Sequence, residues 1–210
     1  MKTIFAVIAL SMLSVSGFAQ GLSLEQSNPV PSSALDELNP HDPEIEEKLR
    51  EMDEAYERET GKSPFLEIES SDDKEGSCYR MSCKVFLDIR KSTQSASIYV
   101  DGVLKHSVKV STGIAGFLTP DFDRKPNGRI YDKYTSSKYP GGDYNGLGNM
   151  PYAVFISGGF AVHGTGRGNW PKLGTKASHG CIRMHPDNGK IFNRLVRSVG
   201  ISQTWITVRN

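Results

Sequence analysis

The residues best suited to covalent chemistry lie in one short stretch of the chain. His163 follows an apolar run, and Cys181 closes the sequence Ser178-His179-Gly180-Cys181. A thiol attacks a carbonyl carbon effectively only as a thiolate, and a nearby imidazole can take its proton. The pattern predicts that Cys181 is a nucleophile and that His163 is its base.

The residue before the cysteine fits the same chemistry. Gly180 has no side chain, so a substrate could approach the backbone closely at this position. The N–H groups of Gly180 and Cys181 could then stabilise the oxyanion that forms when a thiolate attacks a carbonyl group. Gly180 is therefore predicted to bind the substrate.

A zinc site is the alternative interpretation of this stretch. Four residues of zinc-ligand type lie within 23 residues, namely His163, His179, Cys181 and His185. No Cys-x-x-Cys pair accompanies them, although such pairs are frequent in structural zinc sites. We predict no metal and no other cofactor, and we assign no role to the two other histidines of the mature chain, His41 and His106.

The stretch resembles the catalytic signature of the L,D-transpeptidase family, also called the YkuD domain, in which a histidine precedes Ser/Thr-His-Gly-Cys. Met150-Pro151-Tyr152 and the run from Gly158 to Gly164 are similar to the family's approach to its histidine. Val110-Ser111-Thr112-Gly113 is similar to the family's first hairpin. The resemblance covers roughly residues 83–210.

This resemblance implies a β-sandwich-like domain and an enzyme that makes or breaks peptide bonds in the bacterial cell wall. The cysteine would be acylated by a peptidoglycan stem tetrapeptide at the diaminopimelate carbonyl, and the terminal D-alanine would leave. By the same resemblance, the carbonyl of Gly164 would orient His163. The implied substrate-binding residues are Ser178, His179, Gly180 and Arg183.

Two positions depart from the family pattern. Arg183 stands where the family often has asparagine, although arginine also occurs there. The family's compact Thr-Pro-x-Gly turn is divided here between Thr119-Pro120 and Pro126-Asn127-Gly128. The insertion changes the predicted wall of the substrate groove.

The fate of the acyl-enzyme distinguishes the functions that remain open. Attack by an amine would make the protein a transpeptidase that forms crosslinks or attaches a protein to the wall. Attack by water would make it an L,D-carboxypeptidase or endopeptidase. A noncatalytic wall-binding protein is a further alternative, but an intact pair of Cys181 and His163 argues against it. The family resemblance favours the transpeptidase.

The elements that must position these residues are mainly β-strands, over residues 78–210. Asp101-Gly102 is a signal for a two-residue hairpin, and Ser157-Gly158-Gly159 marks a second turn before the strand that ends at His163. The predicted strands are Lys84–Ile89, Ser97–Val100, Val103–Ser111, Ala153–Ile156, Phe160–His163 and Trp205–Val208.

Two amphipathic helices are also predicted. The first follows Asp42, a candidate N-cap, and ends before Gly61, and the second begins at Pro186 and ends before Gly200. The apolar positions are Ile45, Leu49, Met52 and Tyr56 in the first and Ile191, Phe192, Leu195, Val196 and Val199 in the second, with Lys190, Arg194 and Arg197 facing solvent. The stripe of the first helix is too narrow to fold alone, so we expect it to dock on the domain.

A long connection, residues 112–150, is rich in glycine, proline and aromatic residues. Loops of this length are usually functional or mobile. Its last part, residues 139–149, contains four glycines. That part is predicted to be a lid over the site, with a surface loop as the alternative.

The first 19 residues have the features of a secretory signal peptide: a basic residue, an apolar run, and small residues Gly17 and Ala19 before the cleavage point. A membrane anchor is the alternative, but serines interrupt the run, which is short for a bilayer crossing. We therefore expect a periplasmic or secreted, cell-wall-associated protein with no membrane span after cleavage.

The three cysteines allow three pairings, and the sequence does not choose among them. Cys78 and Cys83 are close enough in sequence to close a small loop, which would leave Cys181 as a thiol. A single thiol kept in an oxidising compartment more often has a chemical role than a packing role.

Charge divides the mature chain into two opposed parts. Residues 20–75 carry 17 acidic and 5 basic side chains, a net charge of −12, whereas residues 76–210 carry 7 and 19, a net charge of +12. The acidic part, a linker and the first helix over residues 20–77, is predicted to dock on the basic domain. A basic domain suits peptidoglycan stem peptides, which end in carboxylates. We expect no nucleic acid partner, because the overall charge is near neutral and no recognition module is present.

Overall fold

The computed structural model describes residues 38–66, 78–134 and 143–210. The predicted signal peptide, the linker up to residue 37 and residues 139–142 of the predicted lid lie outside these ranges. The helices are α1, Ile45–Thr60, and α2, Pro186–Val199. The strands are β1 Val85–Arg90, β2 Ser95–Val100, β3 Val103–Ser111, β4 Phe122–Arg124, β5 Val154–Ser157, β6 Phe160–Gly164, β7 Ile182–Met184 and β8 Thr204–Arg209. Within the described ranges, neither helix has the length and apolarity needed to cross a bilayer.

The eight strands form one sheet in the order β4-β8-β1-β2-β3-β7-β6-β5. Most neighbours are antiparallel, and the two parallel pairs are β1 with β8 and β6 with β7. Asp101-Gly102 joins β2 to β3, and Gly158-Gly159 joins β5 to β6, as the hairpin signals predicted. Strand β3 pairs with both β2 and β7 and so connects the two halves of the sheet.

The two edges of the sheet meet and nearly close it into a barrel. Arg124 in β4 donates a hydrogen bond to Ser157 Oγ in β5 at 3.0 Å. The chain after β4 then runs along β5, where Asn127 N donates to Phe155 O and Phe155 N donates to Arg129 O. The predicted mainly β class is confirmed. The two layers of the predicted β-sandwich-like domain are the two halves of one curved sheet, which enclose a shared core.

Side chains of β6 and β7 alternate between two buried clusters, as the pleat of a strand requires. Val162 and Ile182 point into the main core, which they share with β1, β8 and α2. Ala161 and Cys181 belong to a second cluster on the other face. Because both faces are buried, the second face needs a covering element of its own.

Helix α1 is that element. Its buried side chains Leu49, Met52 and Tyr56 belong to the second cluster. Arg129 donates two hydrogen bonds to the carboxylate of Asp53, at 2.8 and 2.9 Å. The helix predicted for this segment is confirmed, and its apolar stripe faces the sheet.

Helix α2 covers the main core. Phe192 and Val196 are fully buried in it, whereas the outer members of the predicted apolar face are only half-buried. Arg194 and Arg197, predicted to face solvent, are exposed and half-buried, respectively, and both form ion pairs with Asp132. Arg197 also donates to the carbonyl of Ile130, because the chain that closes the barrel passes beside this helix.

The start of α1 and the strand β4 differ from the prediction. The Asp42 carboxylate accepts a hydrogen bond from Glu44 N and its carbonyl accepts one from Ile45 N, which closes a turn before the helix. The helix therefore begins at Ile45. Strand β4 lies inside the predicted 112–150 loop and pairs with β8, but its three residues have no apolar alternation that could have indicated it.

Cys78 and Cys83 form a disulfide that closes a short 3-10 turn directly before β1. Cys181 keeps its thiol. Of the three pairings that the sequence left open, the structure has the one between the two nearest cysteines.

Candidate active site

Parallel pairing of β6 with β7 brings Cys181 and His163 to one face of the sheet. His163 in β6 stands opposite Arg183 in β7. Cys181 lies two positions before Arg183, so its side chain projects to the same side as that of His163. Neighbouring strands are only about 4.8 Å apart, so the imidazole and the thiol share one small region.

The imidazole of His163 is held in one orientation and one tautomer. Its Nδ1–H donates a hydrogen bond to the carbonyl of Gly164 at 2.7 Å, which leaves the lone pair of a base on Nε2. His163 is 1% exposed, and this burial lowers its pKa to about 3. The bond to Gly164 acts in the opposite direction, and the charge of Arg183 lowers the pKa further. The ring is therefore neutral at neutral pH and able to accept a proton.

Gly164 has no room for a side chain. A Cβ atom there would lie 2.8 Å from Pro186 Cα and 3.1 Å from the carbonyl of Pro151. Gly164 N also donates to that carbonyl at 2.8 Å. The start of α2 thus packs directly on the end of β6 and fixes the carbonyl that orients His163.

The loop in front of Cys181 is organised by Ser178. Its hydroxyl donates to the carbonyl of Cys181 at 2.6 Å and accepts from the N–H of Gly180 at 3.2 Å. Gly180 has φ of +126°, a conformation that strongly favours glycine. The N–H of Gly180, predicted to bind an oxyanion, is directed at Ser178 instead.

Thr119 holds the same loop from the other side. Its hydroxyl donates to the carbonyl of Gly180 at 2.6 Å and accepts from the N–H of Gly113 at 2.9 Å. Thr119 is buried. Two hydroxyl groups therefore fix the backbone of the loop: that of Ser178, which lies within the loop, and that of Thr119, which lies beside it.

The base of the loop is anchored on Thr112. The carbonyl of Thr112 accepts hydrogen bonds from the N–H groups of Ala177 and Ser178. Gln94 holds Thr112 in turn, because its side chain accepts from Thr112 N at 2.8 Å and donates to Thr112 Oγ1 at 2.7 Å. A polar chain thus links the β1–β2 hairpin to the cysteine loop.

His179 and Arg183, both predicted to bind substrate, differ in exposure. His179 is half-buried, and its ring meets Phe117 edge-on at 4.7 Å. Partial burial lowers the pKa of His179, and the charge of Arg183 adds to this. The guanidinium of Arg183 is buried and donates to the carbonyl of Ala177 at 2.6 Å. His179 therefore lies at the surface of the site, whereas Arg183 is buried below the loop and stabilises it through the bond to Ala177.

Residues 84–203 match the family described as the L,D-transpeptidase catalytic domain, YkuD. The chain belongs to this family. The matched L,D-transpeptidase domain contains both His163 and Cys181, and the predicted family resemblance is confirmed. Helix α1 and the residues before it precede the matched domain.

Solved structures of L,D-transpeptidases match part of this chain. An L,D-transpeptidase from Mycobacterium smegmatis is 22% identical, with 61% of this chain and 60% of that chain covered and a TM-score of 0.47. An L,D-transpeptidase (Yku) from Stackebrandtia nassauensis is also 22% identical, with 67% and 60% covered and a TM-score of 0.46. The chain spans about 60% of the length of these relatives. No curated protein matches it.

Three residues contact the loop that carries Cys181 in ways that the sequence did not indicate. Thr119 was noted only as part of a divided turn, and His41 received no role. Yet Pro40 and His41 both lie against Gly180, since a Cβ atom there would be 2.6 Å from Pro40 Cγ and 3.2 Å from His41 Nε2. Nothing local indicates this contact, because Pro40 and Gly180 are far apart in sequence.

The candidate zinc ligands have other contacts. His185 accepts a hydrogen bond from Asp187 N at 3.4 Å at the start of α2, and its ring lies 4.3 Å from that of Trp170. Within residues 38–66, 78–134 and 143–210, no three or more His, Cys, Asp or Glu side chains are grouped to hold a metal ion.

Part of the predicted lid lies within the described residues. Residues 143–149 form a turn in which the Asp143 carboxylate accepts hydrogen bonds from Gly146 N and Gly148 N, at 2.6 and 2.7 Å. Tyr144 faces Trp170, with ring centroids 6.2 Å apart. A lid function for this turn stays a prediction.

The thiol itself is covered. Cys181 is 3% exposed, and its Sγ–H donates to the carbonyl of Gly159 at 3.4 Å. A neutral imidazole with its lone pair on Nε2, a thiol on the same face and a tightly held loop peptide provide the groups that acyl transfer needs. Access to them requires the covering residues to move.

Proposed function

We propose that the protein is a secreted cysteine acyltransferase that acts on peptidoglycan stem peptides. The observation that carries this proposal is the hydrogen bond from His163 Nδ1–H to the carbonyl of Gly164. It leaves Nε2 as a proton acceptor on the face of the sheet that also holds Cys181. A neutral imidazole with its lone pair on Nε2 can accept a thiol proton, which is the step that an activated cysteine nucleophile requires.

In the first half-reaction, Nε2 of His163 takes the thiol proton, and the sulfur of Cys181 attacks the carbonyl carbon of the third residue, diaminopimelate. The C–N bond to the terminal D-alanine then breaks, and His163 returns the proton to the leaving amine. In the second half-reaction an acceptor amine attacks the thioester, and His163 moves the proton of that amine to the departing sulfur. The products are a new amide and the regenerated thiol.

The choice of substrate rests on family membership and on charge. Proteins of this family act on peptidoglycan peptides. The region that contains the site, residues 76–210, has a net charge of +12, which attracts a polymer whose peptides end in carboxylates. The predicted signal peptide would deliver the protein to the periplasm or the cell wall.

Mass spectrometry of the products tests this function. Purified mature protein is mixed with a disaccharide tetrapeptide, beside Cys181→Ala, His163→Ala and the control His106→Ala. We expect D-alanine release and a crosslinked dimer with the wild type and His106→Ala, and neither product with the two site variants. Release of D-alanine that persists in Cys181→Ala would contradict the proposal.

Two other outcomes would change the assignment. Loss of D-alanine that leaves only tripeptide would indicate the L,D-carboxypeptidase or endopeptidase alternative, in which water attacks the same acyl-enzyme. Absence of any reaction, together with a Cys181 that no thiol reagent modifies under native conditions, would indicate either the noncatalytic wall-binding alternative or an enzyme whose thiol stays covered.

We propose, in addition, that the docked helix α1 stabilises the catalytic domain. The support is its burial against the second cluster and its contacts with basic residues of the domain. Arg129 pairs with Asp53, and Lys133 pairs with Glu59. These pairs join the acidic and the basic parts of the chain.

A further inference from the structure

Residues 38–45, here called the strap, lie across the loop that carries Cys181. Pro40 is buried, and it and His41 lie against Gly180, the residue before the nucleophile. Ile45 and Pro40 lie against Gly159, where a Cβ atom would be 2.6 Å from Ile45 Cγ1 and 3.0 Å from Pro40 Cα. Gly159 is the residue whose carbonyl accepts the thiol hydrogen bond. The strap therefore covers the surroundings of the sulfur on two sides.

His41 attaches the strap to two other segments of the domain. Its Nε2–H donates to the carbonyl of Leu118 at 3.1 Å. Its ring meets Phe160 edge-on at 5.2 Å and Phe117 at 6.3 Å. Phe117 and Leu118 belong to the loop after β3, whereas Phe160 begins β6, so His41 bridges the loop after β3 and the start of β6.

With the strap in this position, the thiol offers almost no surface to a stem peptide. The carbonyl group under attack must come within bonding distance of Cys181, yet Cys181 is 3% and His163 is 1% exposed. We infer that the strap is an intramolecular inhibitor that occupies the approach to Cys181 and must leave before a peptide substrate binds. The identity of that substrate rests on the proposed function, but the covering of the thiol does not.

Opening does not require α1 to leave the domain. The helix keeps its own attachments, the buried Leu49, Met52 and Tyr56 and the pairing of Asp53 with Arg129. The strap ends at Ile45, the first residue of α1. It is held by the contacts of His41, Pro40 and Ile45 and by Leu38, which is buried in the second cluster. A small population of open molecules can thus exist in the folded protein, and weakening one strap contact should increase it.

Alkylation of Cys181 measures this population without any substrate. The full mature chain and its His41→Ala and Ile45→Ala variants are treated with iodoacetamide, and the rate of Cys181 modification is followed by mass spectrometry. Each variant should react at least about fivefold faster, because a lost hydrogen bond or packing contact shifts the equilibrium by that order. His106→Ala is the matched control and should react like the wild type. Thermal melting confirms that each variant is folded.

The outcomes separate the strap from the proposed function. Faster alkylation of the strap variants supports the inference even if no stem peptide is consumed, in which case the proposed function fails alone. The inference is overturned if both folded variants react at the wild-type rate. It is also overturned if wild-type Cys181 already reacts as fast as a small free thiol at the same pH.

A second inference comes from Thr119 and does not depend on the strap. The peptide between Gly180 and Cys181 is planar and trans, so its carbonyl and its N–H point in opposite directions. Thr119 Oγ1 donates to that carbonyl at 2.6 Å and accepts from Gly113 N at 2.9 Å. Thr119 thus holds the carbonyl of Gly180 on the side of Gly113. The N–H of Cys181, in the same peptide, therefore points to the opposite side.

We propose that Thr119 is a positioning residue for an oxyanion donor, the N–H of Cys181. This rests on the proposed function, because an oxyanion forms only when the thiolate attacks a carbonyl group. A fixed donor stabilises that charge without reorganising during the reaction. Ser178 holds the other side of the residue through the carbonyl of Cys181. The N–H of the nucleophile would thus be set before the substrate arrives.

Two reactions of the same thiol test this role. Attack on iodoacetamide occurs at a saturated carbon and forms no oxyanion, whereas acylation by the tetrapeptide does. Thr119→Val should lower the acylation rate by about tenfold or more and leave alkylation within about twofold. Thr119→Ser keeps the hydroxyl and should restore acylation, and Thr119→Ala replaces the valine variant if melting shows that it is unfolded.

An equal loss of rate in acylation and in alkylation would mean that Thr119 only supports the fold, and this would overturn the proposal. An unchanged rate of acylation in Thr119→Val would also overturn it. Absence of D-alanine release from the wild type would instead count against the proposed function. In that case acylation by a reactive thioester, which also passes through an oxyanion, replaces the tetrapeptide in the comparison of Thr119→Val with Thr119→Ser.

Discussion

Burial decides how His163 can work. A histidine at the surface is partly protonated near neutral pH, and a protonated ring cannot take a proton. At 1% exposure the charged form loses its hydration, which lowers the pKa of His163 to about 3. The neutral tautomer with its proton on Nδ1 is then the stable form, and the hydrogen bond to Gly164 selects it.

The same shift predicts how stability depends on pH. The pKa of His163 is 6.5 when unperturbed and about 3 in the folded protein, so below pH 6.5 the unfolded chain binds a proton that the folded chain does not. The free energy of unfolding should therefore fall as the pH falls from 6.5 towards 3. Between about pH 7 and pH 5 the loss from this residue is about 2 kcal/mol.

Urea unfolding of the wild type and of His163→Gln at these two pH values measures that loss. The glutamine variant lacks the titrating ring, so its stability should fall by about 2 kcal/mol less over the same interval. Equal pH dependence in the two proteins would mean that His163 is hydrated in the folded state.

Some residues of the site can be predicted from the sequence and others cannot, for a physical reason. His163 and Cys181 stand out because their types and local sequence carry the chemistry. Thr119 and His41 both contact Gly180, and these contacts form only when distant parts of the chain meet. A hydroxyl or an imidazole in an irregular segment has no local pattern that reveals such a partner.

Among the secondary-structure elements, α1 depends most on its contacts with the rest of the domain. It covers the second face of β6 and β7, and Asp53 sits at the centre of its polar contacts. The carboxylate accepts two hydrogen bonds from Arg129 and one from Tyr131 OH. Asp53 and Arg129 have side chains that are only 16% and 13% exposed, so solvent screens their attraction weakly.

Removing this carboxylate should therefore weaken the docking of α1. Asp53→Asn leaves the buried guanidinium of Arg129 without its partner charge, and we expect the free energy of unfolding to fall by about 2 kcal/mol. Glu54→Gln is the matched control on the same helix. Its partner is Arg58 at 3.7 Å, and both side chains are more than 60% exposed, so the change should be below about 0.5 kcal/mol. Equal effects of the two substitutions in urea unfolding would contradict this account.

Comparison of the elements also shows where local sequence patterns are sufficient to predict a strand or a helix. The β2–β3 hairpin was predicted because Asp101-Gly102 and the alternating residues on either side agree, and strand β3 has the predicted bounds. Strand β4 was missed because its pairing with β8 is set by partners far along the chain. The prediction that Asp42 is the N-cap of α1 was wrong, because its side chain closes a turn before the helix, which begins at Ile45.

At the scale of the whole molecule, charge is divided along the chain. Residues 20–75 carry −12 and residues 76–210 carry +12, so the two parts attract each other, and α1, which belongs to the acidic part, lies on the basic domain. Asp53 with Arg129 and Glu59 with Lys133 are the points where this attraction becomes direct contact. The long-range part involves exposed charges and is sensitive to salt, whereas the buried pair is screened much less.

Salt should therefore lower the melting temperature of the full mature chain. Raising NaCl from about 20 mM to about 500 mM shortens the Debye length from roughly 20 Å to roughly 4 Å, which removes attraction between exposed charges. A loss near 1 kcal/mol lowers the Tm of a chain of this size by about 3 °C. The matched variant Glu47→Gln, Glu51→Gln, Glu54→Gln removes exposed acids from α1, and its Tm should change less with salt. If both proteins keep the same Tm in both buffers, the apolar contacts of Leu49, Met52 and Tyr56 hold the helix without help from the charge division.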